Sequence, residues 1–330
     1  MDDRADLLYR LILPVLLFCR FTLGVFAYEA NGLTENGSPS MFLVNLGYDF
    51  MRMDGQAVRS PSAGIGFLAG EHNVPFTQVG RRFFCQVLYR HFFFPKEPWH
   101  GRFHQIDAVF YGRISRQLFL FYFESATDRP IAGGLGSFET GFGWGYEVLR
   151  RPQMSLILGA LLSVGDFGIA LPSGAILPVL PLPLVRLGID TQWLALSLNL
   201  FRDIEFTIAP KERIRLTGDM RMDGFRDIGG MFLEATLWYR LFGADSRLGD
   251  IAGIGVGIGN DATRFYISRY ATEFEMRRTS VFAVADFSLL SIRAGWIFSS
   301  RHLLDGKTVN DQGRGFYVSV QGMVPILIPR

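Results

Sequence analysis

Acidic and basic residues alternate with apolar ones along part of this chain. Apolar Ile204, Phe206 and Ile208 occupy every second position, and ionisable residues lie between them. The same alternation in later segments puts these ionisable residues on one polar face: Asp203, Glu205, Arg213, Arg215, Asp219, Arg221, Glu234 and Arg240. Charged groups that line a pore sort solutes by charge. The same groups, paired with one another, would instead fill a closed lumen with ion pairs. Both interpretations remain open from the sequence.

One stretch could support nucleophilic catalysis. "SSRHLLDG" contains Ser300, His302 and Asp305, which could be a nucleophile, a base and an orienting acid on the wall of a lipid-modifying enzyme. A Ser-x-His pair is common by chance, and no G-x-S-x-G elbow occurs. We therefore predict no catalytic residues and no enzyme, with the lipid-modifying enzyme kept as an alternative.

Metal and cofactor signals are weak. His100 and His104 lie four apart, a spacing that binds metal on a helix. They follow "FFFPKEPW", whose two prolines predict an exposed loop instead. "GIGVGIGN" lacks the dinucleotide spacing. We expect no metal and no cofactor.

Alternation with a period of two recurs along the chain and predicts strands with unlike faces. The clearest segments are Phe42–Phe50, Leu194–Leu200, Met231–Tyr239, Val281–Leu289 and Phe316–Gln321. Turn signals separate such segments at 150–153, 188–192, 209–212, 242–250 and 305–313.

The turn "APKE" predicts a hairpin whose register can be specified. Keeping Ile208 and Ile214 on one face requires paired positions with an even sum, such as Ala209 with Arg213. The loop would then be residues 210–212, and Glu205 would lie opposite Thr217.

Composition limits the class of protein. The chain has 330 residues, 49% of them hydrophobic, with a mean hydropathy of +0.20 and no apolar run of eighteen residues, so a membrane-spanning helix after the N-terminus is not expected. A net charge of +2 gives no reason to expect a nucleic-acid partner. Residues 1–27 resemble an export signal, 28–40 a flexible leader and 41–330 one barrel domain. Cys85 would be the one cysteine of the mature chain, which excludes an intrachain disulfide.

The segment from Ala170 to Pro183 contains four prolines. Proline removes a backbone donor, so this composition argues against a helix and against a central strand. We predict an apolar loop that narrows the lumen, lies on the membrane surface or packs under its neighbours.

Glycine and aromatic residues suggest a membrane barrel. Glycines at 141, 143, 145, 253, 255, 257 and 259 leave one face bare, which suits a narrow or strongly curved wall. Aromatic residues crowd the segment ends, as in the girdles at a bilayer interface: Phe92–Phe94, Trp238–Tyr239 and Trp296–Phe298. Over residues 41–328 the sequence resembles bacterial outer-membrane β-barrels and is similar to the small barrels of spirochaetes. It departs from them at its end, "VPILIPR", which lacks the usual terminal aromatic residue.

The resemblance implies an all-β, transmembrane antiparallel barrel in the bacterial outer membrane, with lipid and the barrel-assembly machinery as partners. At about 25 residues per strand and connection, the mature chain gives 10–14 strands within a range of 8–14. We expect a passive, porin-like conduit for small polar solutes, with the eight ionisable residues above lining it. The alternatives are a closed structural or adhesive barrel acting through loops at 70–80, 93–102, 125–136 and 299–313, and a soluble periplasmic β-sandwich. The oligomeric state is not predicted.

Overall fold

The computed structural model describes residues 41–53, 56–70, 82–94, 101–129, 135–165, 178–200, 203–222, 231–241, 252–268, 270–287, 289–312 and 314–327. Seventeen strands account for nearly all of these residues. They are β1 (Met41–Met53), β2 (Gln56–Gly70), β3 (Arg82–Phe94), β4 (Gly101–Ile114), β5 (Gln117–Thr127), β6 (Phe138–Arg151), β7 (Met154–Val164), β8 (Val179–Asp190), β9 (Leu194–Asn199), β10 (Asp203–Ile208), β11 (Ile214–Met222), β12 (Met231–Arg240), β13 (Gly253–Ile267), β14 (Thr272–Asp286), β15 (Leu290–Leu304), β16 (Lys307–Gln312) and β17 (Gly315–Leu327).

Sixteen strands close into one antiparallel ring. Each pairs with its neighbour in sequence, and β1 pairs with both β2 and β17 along its whole length. Strand β17 pairs with the first half of β15, from Leu290 to Ile297. Strand β16 pairs with the last residues of β15, from Ser300 to Leu304, and is a branch outside the ring. Closure pairs the first strand of the sheet with the last, and it confirms the antiparallel barrel. No helix in the described part of the chain is long and apolar enough to cross a membrane.

The strand number exceeds the expected 10–14. The estimate assumed longer connections than the fold uses: Ser115 and Arg116 alone join β4 to β5, and Pro152 and Gln153 alone join β6 to β7. Strands β9 and β10 have only six residues each. Short turns and two short strands therefore fit more crossings into the same chain.

The period-two pattern separates an outer from an inner face. Within each strand, the large apolar side chains at alternate positions are exposed on the outside of the ring, as a lipid-facing surface requires: Leu46, Tyr48, Phe142, Trp144, Leu158, Leu162, Leu233, Leu237, Val256, Ile258, Val281, Trp296, Val324 and Ile326. The side chains at the positions between them point into the lumen. We call the end that contains Met41 and Leu327 the near end and the opposite end the far end.

The predicted hairpin at "APKE" forms, but its register is shifted by two residues. Thr207 pairs with Thr217, and Glu205 lies opposite Asp219, not Thr217. The turn is five residues long because Ala209 takes a positive φ of 53° and its carbonyl accepts from the Glu212 amide at 3.0 Å. A shift of two keeps every side chain on its predicted face.

Two other predicted boundaries were wrong. The segment 305–313 is not one turn: Asp305 and Gly306 both have positive φ and form a two-residue hairpin turn, after which the chain enters β16. Strand β14 ends at Asp286, so Phe287 and Leu289 belong to the next turn. The predicted turn at 242–250 lies outside the described residues.

The prolines of the predicted apolar loop are partly in a strand. Pro181 and Pro183 belong to β8, where they pair with Leu162 and Ala160 of β7. Strand β9 pairs with β8 only from Arg186 to Asp190. Among the described residues, the proline-containing half of β8 thus has one strand partner, and a proline is tolerated at such an edge because its missing donor faces no ladder. Residues 166–177 lie outside the described part of the chain.

A long hairpin crosses the far end of the barrel. Strand β13 continues beyond its last pair with β12, Glu234 with Gly259, until Tyr266 pairs in parallel with Thr127 of β5, while β14 stays paired with β15 from Phe274 to Asp286. The Asp128 amide donates to the Tyr266 carbonyl at 3.2 Å, and the Asp128 carboxylate accepts from the Ser268 amide at 2.9 Å and hydroxyl at 2.7 Å. This contact joins strands that are far apart around the ring.

Candidate solute pathway through the barrel

The crossing hairpin divides the far half of the lumen into two lobes. The packed lobe is bounded by β13–β15, β17 and β1–β5, and the charged lobe by β5–β13. Because the ring is closed and β13 touches β5, a solute entering from the far end meets two separate spaces.

An aromatic core fills the far end of the packed lobe. The Phe265 ring lies 4.9 Å from the Phe92 ring and 4.6 Å from the Phe103 ring, across the lumen. Phe94 and Phe274 meet at 5.8 Å, and Phe265 and Phe274 are fully buried. The expected aromatic girdle is therefore wrong for Phe92 and Phe94, which point inward, while Phe93 between them is exposed outside. This lobe is closed to solutes at the far end.

A charged cavity of about 260 Å³ lies within the packed lobe. The Arg278 guanidinium binds the Asp261 carboxylate through two bonds of 2.6 and 2.5 Å and lies over the Tyr317 ring. Arg90 and Asp49 face each other at 3.8 Å. Arg293 also lines the cavity and binds Glu234, so each charged side chain of the lining has an opposite charge beside it, as in the ion-pair-filled lumen considered from the sequence.

The charged lobe holds four of the eight candidate pore residues on two strands. Asp203 and Glu205 of β10 lie opposite Arg221 and Asp219 of β11. Arg221 donates to Asp219 at 2.7 Å, yet its side chain remains 70% exposed, and Glu205 is also exposed. An inward-pointing side chain with that exposure borders space that no described side chain fills.

The other four candidates are placed differently. Arg215 lies over the Trp238 ring, which itself donates to Thr217 at 2.9 Å. Glu234 accepts two bonds from Arg293, at 2.9 and 2.6 Å. Arg240 is buried and donates to the Pro210 carbonyl at the near-end turn.

Arg213 does not share the inner wall. It belongs to the five-residue turn, and its guanidinium lies over the outward-facing Tyr239 ring at 5.8 Å. The two-residue register shift explains this position, because the strand begins at Ile214 and not before it.

Sequence reasoning missed several inward charges. Arg293 and Arg186 alternate with apolar residues in the same way as the eight candidate pore residues. Arg186 of β8 lies over the ring of Tyr111, which belongs to β4. The parity rule applied to β8 and β15 would have found both.

The wall formed by β6–β8 is mostly apolar and close-packed. An added Cβ at Gly145 would approach the Leu184 side chain at 2.9 Å, and one at Gly143 would approach Leu161 at 3.3 Å. The charged lobe thus has a polar wall on β10–β12 and a mostly apolar wall on β6–β8, from which Arg186 projects.

A buried ion cluster lies at the near end of the apolar wall. Arg113 donates to Glu147 at 2.8 Å with both side chains at most 3% exposed, and Arg150 also binds Glu147. Such clusters fix the wall in place, since removing one partner leaves an uncompensated buried charge.

The hypothetical catalytic set does not assemble. Ser300 and His302 are fully buried and lack hydrogen-bond partners among the described residues, with the His302 ring packed edge-on against Phe274. The Asp305 carboxylate instead binds Thr272 and the Glu273 amide. His104 is not in a loop but on β4, and His100 lies outside the described residues.

Distant similarity to bacterial proteins, one of them described as an outer-membrane protein, is found among solved structures. Acinetobacter baumannii OccAB3 matches with a TM-score of 0.35 and 8% identity over 88% of this chain and 100% of that chain. Pseudomonas aeruginosa OpdQ matches with a TM-score of 0.35 and 11% identity, over 88% and 99%. The outer-membrane protein OprD of P. aeruginosa gives 0.33 and 11%, over 87% and 94%. No protein-family model and no curated protein matches the sequence. Matches this distant do not assign a function to the chain.

Proposed function

We propose that this protein is a bacterial outer-membrane barrel that acts as a passive conduit for small polar solutes, through the charged lobe. The single observation that carries the proposal is the exposure of Arg221 and Glu205 on the inner face of a closed ring. Charged side chains that border an open lumen stay hydrated, and their charge favours the passage of ions of the opposite sign.

Placement in a membrane is supported by the outer face. Its exposed leucine, isoleucine, valine and aromatic side chains continue around the ring, and a water-soluble protein rarely exposes an apolar surface of that extent. A closed ring also satisfies the backbone internally, as a lipid environment requires. Export, insertion by the assembly machinery and the spirochaete-like resemblance remain predictions from the sequence.

The conduit is expected to be weakly selective, because both signs of charge line it. Asp203 lies opposite Arg221 and Glu205 lies opposite Asp219 on adjacent strands, and Arg215 lies on the same inner row of β11 as Asp219 and Arg221. Neutralising one sign should therefore leave the other to dominate. The packed lobe would contribute stability and not conductance.

Bilayer recordings test this function. The full chain is inserted into a planar bilayer, and the reversal potential is measured under a KCl gradient. The double variant Arg215→Gln/Arg221→Gln should shift the preference toward cations, and Asp203→Asn/Glu205→Gln toward anions. Arg59→Gln, which removes an exposed arginine charge from the outer face, is the control and should leave the reversal potential unchanged.

A folded barrel that conducts no ions would refute the conduit. Folding is checked separately by the difference in gel mobility between boiled and unboiled samples. A compact unboiled form without conductance would favour the closed structural or adhesive barrel.

A further inference from the structure

Three polar side chains interrupt the apolar outer face near the far end. They are Tyr89 and His91 of β3 and His104 of β4. His91 and His104 are direct cross-strand partners, and Tyr89 precedes His91 by two positions, so strand geometry places all three on one face.

Their hetero atoms converge. The Tyr89 hydroxyl lies 2.7 Å from the His104 Nδ1 and 3.2 Å from the His91 Nδ1, and the two Nδ1 atoms are 3.2 Å apart. Ligand atoms around a tetrahedral ion with bonds of about 2.0–2.1 Å lie roughly 3.3 Å from one another. The triangle thus has almost the dimensions of one face of such a site.

Packing holds the triangle in place. His104 is only 9% exposed, and its strand neighbour Thr127 is fully buried. The Phe93 ring packs edge-on against His91 at 4.2 Å between centroids, and Arg102 covers Phe93. Rings that are already restricted by such contacts lose little freedom when an ion binds.

We infer that Tyr89, His91 and His104 form a binding site for one divalent transition-metal ion on the outer face of the barrel. Imidazole nitrogens favour zinc, copper and nickel over magnesium or calcium. The ion would take a lone pair from each Nδ1 and from the Tyr89 oxygen, which releases its proton to solvent. A fourth position, directed away from the barrel, remains for water or an external ligand.

Without an ion, the same three groups must share protons. One Nδ1 must carry a hydrogen to face the other at 3.2 Å, and the tautomer of each ring decides whether the Tyr89 hydroxyl donates to it or accepts from it. A metal ion removes the need for that arrangement. The site lies outside the lumen, so it is independent of the proposed conduit.

Calorimetry on the full chain, folded in detergent and free of any polyhistidine tag, tests the site with Zn²⁺ and Cu²⁺ as probes. We expect one equivalent bound by the wild type, and at least tenfold weaker binding in His91→Gln and in His104→Gln. With Cu²⁺, a visible absorption band from phenolate-to-copper charge transfer should appear in the wild type and vanish in Tyr89→Phe.

Two control variants separate this site from nonspecific binding. Tyr48→Phe, on the outer face, and His302→Gln, on the inner face, should bind as the wild type does. Gel mobility of unboiled samples verifies that each variant is folded. Absence of stoichiometric binding by the folded wild type, or binding that none of the three site substitutions weakens, would overturn the proposal.

Discussion

Glycine residues on the inner face make room for aromatic rings. A Cβ at Gly257 would lie 2.5 Å from the Phe282 ring and 2.7 Å from the Ala235 carbonyl oxygen, whereas a Cβ at Gly253 would meet the Trp238 ring at an ordinary 3.5 Å. The expectation of a narrow, bare wall was thus incomplete, because neighbouring rings cover the glycines.

Gly257→Ala is predicted to destabilise the barrel by about 1–3 kcal/mol through overpacking. Gly253→Ala, four positions away on the same inner row, is the control and should change stability much less. Urea unfolding of the two variants in detergent, followed by tryptophan fluorescence, measures the difference. Equal destabilisation would show that the Phe282 ring does not rest on Gly257.

Among the elements, the β13–β14 hairpin has the largest influence on the lumen. It is fixed at its tip by Asp128, which binds both the amide and the hydroxyl of Ser268. Its inner face supplies Phe265 and Phe274 to the aromatic core. Tip and core together keep the packed lobe closed.

Asp128→Ala is predicted to loosen the hairpin tip without unfolding the ring. The backbone amides at positions 128 and 268 should lose hydrogen-exchange protection. The Ser268 amide loses its acceptor, the Asp128 carboxylate, and the amide at position 128 bonds Tyr266 at the same tip. Asp190→Ala, at an exposed near-end position, should leave that exchange unaffected. If exchange at Ser268 stays at the wild-type rate, the carboxylate does not hold the tip.

For the whole molecule, closure depends on the seam between the first and last strands of the barrel. Tyr48 lies directly opposite Val320 on the outer face, within a continuous ladder of thirteen residue pairs. Without that seam the sheet would be open, with unpaired backbone N–H and C=O groups along its two edge strands.

A disulfide across the seam tests closure. In a background with Cys19 and Cys85 replaced by serine, Tyr48→Cys/Val320→Cys should cross-link under mild oxidation, because directly opposed Cβ atoms are about 4.5–5.5 Å apart. The pair Tyr48→Cys/Val324→Cys, four positions down the same face, is the control and should stay reduced. Mobility on a nonreducing gel distinguishes them, and the reverse pattern would mean a different register.

The sequence determined the local features of this barrel. Alternation along Phe42–Phe50 and Met231–Tyr239 is enough to predict strands and their two faces, because side-chain direction along a strand depends only on position parity. It also placed Asp203, Glu205, Asp219 and Arg221 on one face, and that face is inward. Parity is insensitive to shifts of two residues, so the faces were right where the hairpin register was wrong.

Only the tertiary structure decided the strand number, the position of Arg213 and the division of the lumen. The β13–β5 contact joins Thr127 to Tyr266, which are far apart in the sequence. No local sequence pattern predicts such a contact. Phe92 and Phe94 have the composition of an interfacial girdle, and they face inward because Phe265 and Phe274 bury them from across the lumen. Pro181 and Pro183 are tolerated in a strand because β9 is short. Each of these outcomes depends on which distant strand comes alongside, and that is set by closure of the ring.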